Sequence, residues 1–268
     1  MTPRFSTCYF AEASYHRPMP LNFVLRIKRA ESPFFATLRR IALAVRDFDV
    51  PVPRLILPLA RALYKLHWGI WFVARKLLAI FYVAPVFRGR CESSGRGLSV
   101  WMMPHILGHA RIMVGSHVTF HGKFGVTSGR MIDRPLLRIG NNVVIGHFVQ
   151  FYVNREVVVE DDVLIAGNCI IADSDGHPID PEKRLRNLPP APEDIKPVRI
   201  CKNAWLAGGC QIRKGVTIGE GSIVGANSVV LSNVPPDCIV MGNPARVVGF
   251  TTANTGEARP GPKPMQPR

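Results

Sequence analysis

Acidic residues are scarce in this chain, its cysteines are unclustered, and it has no long unbroken apolar run. Each shortage removes a class of protein. Its 268 residues carry 34 Lys+Arg against 19 Asp+Glu, a net charge of +15. The six cysteines (Cys8, Cys91, Cys169, Cys201, Cys210 and Cys238) form no CxxC pair. Zinc and disulfide frameworks need clustered spacings, so scattered thiols point instead to a reducing cytosol. The N-terminus lacks the positive region, apolar run and small-residue cleavage site of a signal peptide. A cytoplasmic location is therefore expected, with peripheral contact at the inner face of the membrane left open. Arg61, Lys65, Arg75 and Lys76 interrupt the most apolar stretch before it reaches the ~20 residues of a spanning helix. No zinc finger, glycine loop or stacking-aromatic motif accompanies the basic charge, so a nucleic-acid partner is not expected.

What is present begins with the placement of that charge. Residues 1–95 hold 15 basic and 5 acidic residues, a net of +10 that leaves only +5 for the remaining 173. A basic N-terminal section ahead of a nearly balanced body points to a polyanionic partner. Residues 54–83, RLILPLARALYKLHWGIWFVARKLLAIFYV, give the charge a pattern. On a helix, Arg61, Lys65, Arg75 and Lys76 fall within one arc of about 100°. The rest of the circumference is apolar and includes Trp68, Trp71 and Tyr82. That is the look of a helix lying in a membrane interface with anionic lipid. The same pattern also suits a helix packed on its own domain or on a neighbouring subunit. Pro58 fits its first turn and Pro85 its end.

A second periodicity takes over downstream. Aliphatic residues recur every six positions at Ile200, Leu206, Ile212, Ile218, Val224 and Val230. Small or thin residues follow four places later at Ala204, Cys210, Val216, Ser222, Ser228 and Val234. Upstream the beat gives Ile139, Ile145 and Phe151, slips by two, and resumes at Val159, Ile165 and Ile171. An α-helix repeats at three and four, not six. Short strands joined by tight corners do repeat at six, and three hexads close one triangular coil of a solenoid. The fold class is therefore mainly β, a left-handed parallel β-helix over residues 139–234. Val114-Gly115 and Val118 predict a less regular coil before it.

The chain divides accordingly. An irregular segment, 1–50, precedes a basic amphipathic helical segment, 51–95. A β-helix domain, 96–250, follows, and 251–268, rich in Pro, Gly and Thr, read as a disordered tail. One insert, 173–199, breaks the beat with proline and charge. Chemistry or recognition is expected on such a loop.

The stretch NAWLAGGCQIRKGVTIGEGSIVGANSVVLSNVPPDCIVMGNPARVVG, 203–249, resembles the C-terminal half of the hexapeptide-repeat acyltransferases, the maltose and galactoside O-acetyltransferases among them. DSDGHPIDPEKR, 173–184, is similar to that family's catalytic-histidine loop. FRGRCESSGRGLSV, 87–100, resembles polysaccharide-locus members. The resemblance implies a CoA-dependent acetyltransferase acting on a sugar or saccharide acceptor, with acetyl-CoA as donor, no metal, and a homotrimeric assembly. It makes His177 the general base. Asp173, Asp175 or a backbone carbonyl would orient the ring. Trp205 matches an acceptor-pocket tryptophan, and Asn154 resembles a substrate-contacting asparagine. Gly208 and Ala226 match positions along the pantetheine arm, and Arg246 one that meets the CoA phosphates. Where the family usually has Thr-Lys, this chain has Leu231-Ser232-Asn233, so the phosphate contact expected near Ser232 lacks its lysine; a second arginine is replaced by Gly249.

Two other classes compete. A gamma-type carbonic anhydrase shares the coil but needs three histidines converging on zinc, and the spacing of His105, His109, His117, His121 and His147 does not resemble that site. A non-catalytic scaffold would keep the coil for assembly and the basic segment for docking.

Overall fold

A computed structural model describes residues 23–251. Residues 1–22 of the expected irregular segment, and 252–268 of the expected tail, lie outside the described residues. Two compact units divide in sequence between Lys65 and Leu66.

Residues 23–50 differ from the irregular reading. They contain helices α1 (Phe23–Arg29) and α2 (Pro33–Arg46). Ala30 takes a left-handed φ of 53°, and Ser32 caps α2 by accepting from the Phe35 N–H, with Pro33 in its first turn. Two short helices with a chain reversal between them share no common phase, so no single period runs through the segment. Phe35 is buried and meets the Phe23 ring edge-on at 5.6 Å.

The basic segment forms α3 (Leu57–Leu78), which runs into a π-helical turn (Ala79–Val83) and then α4 (Ala84–Arg90). The expected stop at Pro85 does not occur. Proline offers no N–H to the turn before it, and the wider π turn absorbs the mismatch, with the Ala84 N–H donating to the Ala79 carbonyl. One face of this helix is packed. Phe72 and Lys76 sit against the Trp101 ring, at 5.7 and 5.0 Å from its centroid. Ala79, Val83 and Phe87 are buried, Phe87 edge-on against the stacked rings of Phe120 and Phe124. The spacing four, three, four, four places all five on one side.

Strands begin at Ser93, well before the regular beat. Each coil supplies one strand to each of three sheets. The first sheet gathers Ser93–Ser94, Arg111–Val114, Leu136–Ile139, Glu156–Val159, Val198–Ile200 and Thr217–Ile218. The second includes Val144–Ile145, Leu164–Ile165, Trp205–Leu206 and Ile223–Val224. The third includes Gln150–Tyr152, Ile170–Ala172, Gln211–Ile212 and Val229–Val230. Neighbours are parallel until Cys238–Gly242 turns back, antiparallel, as Ala245–Phe250. The fold is a left-handed parallel β-helix.

The six-residue beat is its inner wall. Ile200, Leu206, Ile212, Ile218, Val224 and Val230 are all buried, as are the six small residues four places on. Each aliphatic side chain so buried stabilises the fold by roughly 1.5–3 kcal/mol. Corners need left-handed backbone, supplied by Asn142, Asp162, Asn168, Asn203 and Asn227 and by glycines. Gly209 is one such position: its φ is +76°, and a Cβ there would lie 2.2 Å from Asn227 Oδ1.

Candidate active site

The insert leaves the third sheet after Ala172 and rejoins the first at Val198. It therefore sits on the corner between those sheets, above Asn154 and below Arg213. Its start is held by two carboxylates. Asp173 is fully buried and accepts from the backbone N–H groups of Asn154 (2.8 Å), Arg155 (2.6 Å) and Glu156 (2.9 Å), and from Asn154 Nδ2 at 3.1 Å. Those three N–H groups belong to the corner where the beat slips by two. Val157 pairs with Leu137 across that longer coil, and the extra corner backbone takes its hydrogen bonds from Asp173. Burial raises the pKa of the carboxyl, against the lowering pull of the N–H groups of Arg155, Asn154 and Glu156.

Asp175 is held differently. Arg213 and Lys214, one coil on, approach it at 2.6 Å each. The Lys214 ammonium and Arg213 guanidinium keep its carboxyl below the usual range despite some desolvation. Both aspartates expected to orient His177 are thus committed to other partners. His177 itself is exposed, and its ring has no hydrogen-bond partner among the described residues. It opens on a groove of about 480 Å³ lined by Ser128, Tyr152, Asn154, Asp175 and Arg213.

Asn154 joins His177 in this groove, but most of its amide is spent. Its Oδ1 accepts from the Gly129 N–H at 2.8 Å while its Nδ2 meets Asp173. One amide N–H remains for a ligand. Sequence reasoning missed Ser128, Tyr152, Arg213 and Lys214. The available signal was the coil register: corner residues stack at intervals of one turn, and Tyr152 is the outward neighbour of inward Phe151.

The remaining expected residues lie elsewhere on the surface. Gly208 and Ala226 stack on the corner between the second and third sheets, where the Asn227 N–H donates to the Gly208 carbonyl at 2.9 Å. Gly208 has no left-handed φ, and a Cβ there would meet nothing nearer than the Gly167 carbonyl at 3.5 Å. The backbone does not demand that glycine, unlike Gly209. Above this corner the hairpin pairs Met241 with Arg246, whose side chain is exposed. Gly208, Ala226 and Arg246 thus run along one edge, thin below and cationic above, a strip that fits a slender chain ending in phosphates. Ser232 is not on it. It lies on the His177 corner, one coil beyond Lys214. Trp205 is half-exposed on the second sheet between Leu164 and Ile223 and does not line the His177 groove.

A slightly larger hollow, about 520 Å³, lies on the first sheet among Arg138, Glu160, Asp161, Arg199 and Lys202. Two of its carboxylates are already paired: Glu160 meets Arg199 at 2.5 Å, and Asp161 accepts from the Asn141 N–H at 2.6 Å. It offers no imidazole, so the His177 groove is the better chemical site. Among the described residues no three His, Cys, Asp or Glu side chains come together as a metal-binding group.

Comparison with known proteins agrees with the coil. The bacterial transferase hexapeptide (six repeats) family matches residues 197–232. A Saccharomyces cerevisiae protein described as an acetyltransferase is 40% identical over 116 residues, covering 41% of this chain and 56% of its own length. The galactoside O-acetyltransferase of Escherichia coli is 35% identical over 117 residues, covering 41% of this chain and 54% of its own. The chain thus spans about half the length of these relatives. Among solved structures, an N-acyltransferase from Bacillus cereus aligns with 62% of this chain and 88% of its own, at 19% identity and a TM-score of 0.49. Residues 197–232 match that family's repeat, and the described coils form a left-handed parallel β-helix.

Proposed function

We propose that the chain is an acetyltransferase that moves an acetyl group from acetyl-CoA to a hydroxyl of a sugar or saccharide, with His177 as general base. The observation that carries this is the position of His177: an unpartnered imidazole at the mouth of a groove, on the longest insert within the described coils.

An acceptor hydroxyl is too weak an acid to attack a thioester unaided at neutral pH. As its oxygen bonds to the acetyl carbon, its proton passes to a ring nitrogen of His177. The carbon–sulfur bond then breaks, and the imidazolium returns the proton to the CoA thiolate. Histidine suits both transfers because its ordinary pKa lies near neutrality. With Asp173 and Asp175 engaged, the ring is oriented by a backbone carbonyl or by the bound acceptor. Tyr152 and the free Asn154 N–H offer contacts for a sugar. The strip from Gly208 and Ala226 to Arg246 accepts the CoA arm, and the guanidinium suits its phosphates.

The outward column of the second sheet, Val144, Leu164, Trp205 and Ile223, is apolar. It supports burial against another copy in a homotrimer, which would carry Trp205 to a neighbour's acceptor.

Purified protein with acetyl-CoA and a panel of neutral and amino sugars should release free CoA. His177→Ala should lower kcat by about 10²–10⁴-fold. Equal rates for the variant and the parent would sink the assignment, and acceptance of amino sugars alone would shift it to N-acetylation.

A further inference from the structure

The longest exposed apolar surface lies far from the acyl-transfer chemistry, on the helix running from Leu57 to Arg90. By length and composition this 34-residue helix could cross a membrane. Its packing argues otherwise. Val83, Ala84 and Phe87 are part of the coil's own core, beside Leu98 and Val100. Arg75 lies over the Trp71 ring at 4.3 Å and Lys76 over Trp101 at 5.0 Å. The C-terminal half is thus fixed by one face to a polar solenoid and cannot cross a hydrocarbon layer. The 18 residues before it, 57–74, reach only about 27 Å and carry Arg61 and Lys65 near their middle.

Among the described residues nothing covers the opposite face of residues 66–90. Ile70, Leu77, Leu78 and Phe81 are 62, 50, 54 and 76% exposed. At spacings of seven, one and three they lie on the side away from Phe72, Lys76, Ala79, Val83 and Phe87. Lys76 lies on the packed side, over Trp101, with Arg75 beside it over Trp71. Within 51–91 there are seven basic residues and no acid. A second copy of this segment would bring seven positive charges against seven, whereas an anionic surface complements them.

We propose that this face is an interfacial membrane anchor. The helix lies in the plane of an anionic bilayer, with Ile70, Leu77, Leu78 and Phe81 dipping among the acyl chains. Arg61, Lys65, Arg75 and Lys76 sit at headgroup level, and the first coil, under Trp101, faces the membrane. Trp68 and Trp71 have the amphipathic rings favoured at that depth. An acceptor presented from a membrane surface would then be within the enzyme's range. The anchor itself does not depend on the acyl-transfer reading.

Flotation of the full chain tests it, using vesicles of phosphatidylcholine alone or mixed with phosphatidylglycerol. The protein should float with the mixed vesicles, and high salt should weaken that binding. The Ile70→Glu/Phe81→Glu variant should float about tenfold less or worse, with an unchanged circular dichroism spectrum and unchanged CoA release. Should that variant misfold, tryptophan emission of the unaltered chain serves instead, shifting to the blue with mixed vesicles only. Three results would overturn the anchor: no flotation with either vesicle, equal flotation of parent and folded variant, or a fall in the variant's sedimentation mass without lipid, which would show that another copy covers the face.

Discussion

Gly208 and Gly209 are neighbours with opposite reasons to be glycine. A side chain at Gly209 would collide with Asn227 and strain a left-handed backbone, so the corner requires glycine. At Gly208 a Cβ meets only ordinary contact with the Gly167 carbonyl. Smallness there serves the surface rather than the fold, as a path for the CoA arm would need. Gly208→Val should therefore change stability by less than about 1 kcal/mol while raising KM for acetyl-CoA about tenfold. Thermal melts and steady-state kinetics read the two effects separately; an unchanged KM would remove Gly208 from the donor site.

The carboxylates near His177 illustrate a division of labour at the scale of the loop. Asp173 is spent on three corner N–H groups and Asp175 on two cations, so together they anchor the start of the segment that presents His177. Removing Asp173 leaves buried N–H groups without acceptors, each costing about 1–3 kcal/mol. Asp173→Ala should thus destabilise the protein by about 3 kcal/mol or more, measured by denaturant unfolding, and should lower activity through the displaced loop. Asp173→Asn retains one acceptor oxygen and should recover part of the loss. A catalytic role without a structural one would instead leave the unfolding midpoint of Asp173→Ala unmoved. The helical elements carry a similar lesson: the π turn before Pro85 continues a helix that the proline alone was expected to end.

The assembly belongs to the whole molecule. The first sheet presents Arg138 and Arg199 outward, whereas the second presents Val144, Leu164, Trp205 and Ile223. An apolar sheet face of that kind favours contact with another copy, as the proposed trimer requires. Sedimentation equilibrium should give the mass of three chains, and Leu164→Asp should shift it to that of one. A monomeric parent protein would refute the trimer and with it the role proposed for Trp205.

The coil was legible because a solenoid repeats one local problem. Every inward position needs an aliphatic residue and every corner a left-handed one, so the beat at Ile200–Val230 reports both directly. The insert was legible as the beat's interruption, and His177 as the one imidazole within it. The coils before Ile139 were faint, since bulky Phe124 stands where later coils place a small residue and residues 128–135 lengthen one coil. Other assignments depended on which residues stack across coils of unequal length. Only the folded chain placed Arg213 and Lys214 on Asp175, turned Asp173 into a corner cap, and parted Ser232 from Gly208 and Ala226. The sequence could place the basic residues on one stripe of a helix but not say which way it faced. Burial of Val83 and Phe87 in the coil decided that, turning Lys76 toward Trp101 and leaving Ile70, Leu77, Leu78 and Phe81 exposed among the described residues.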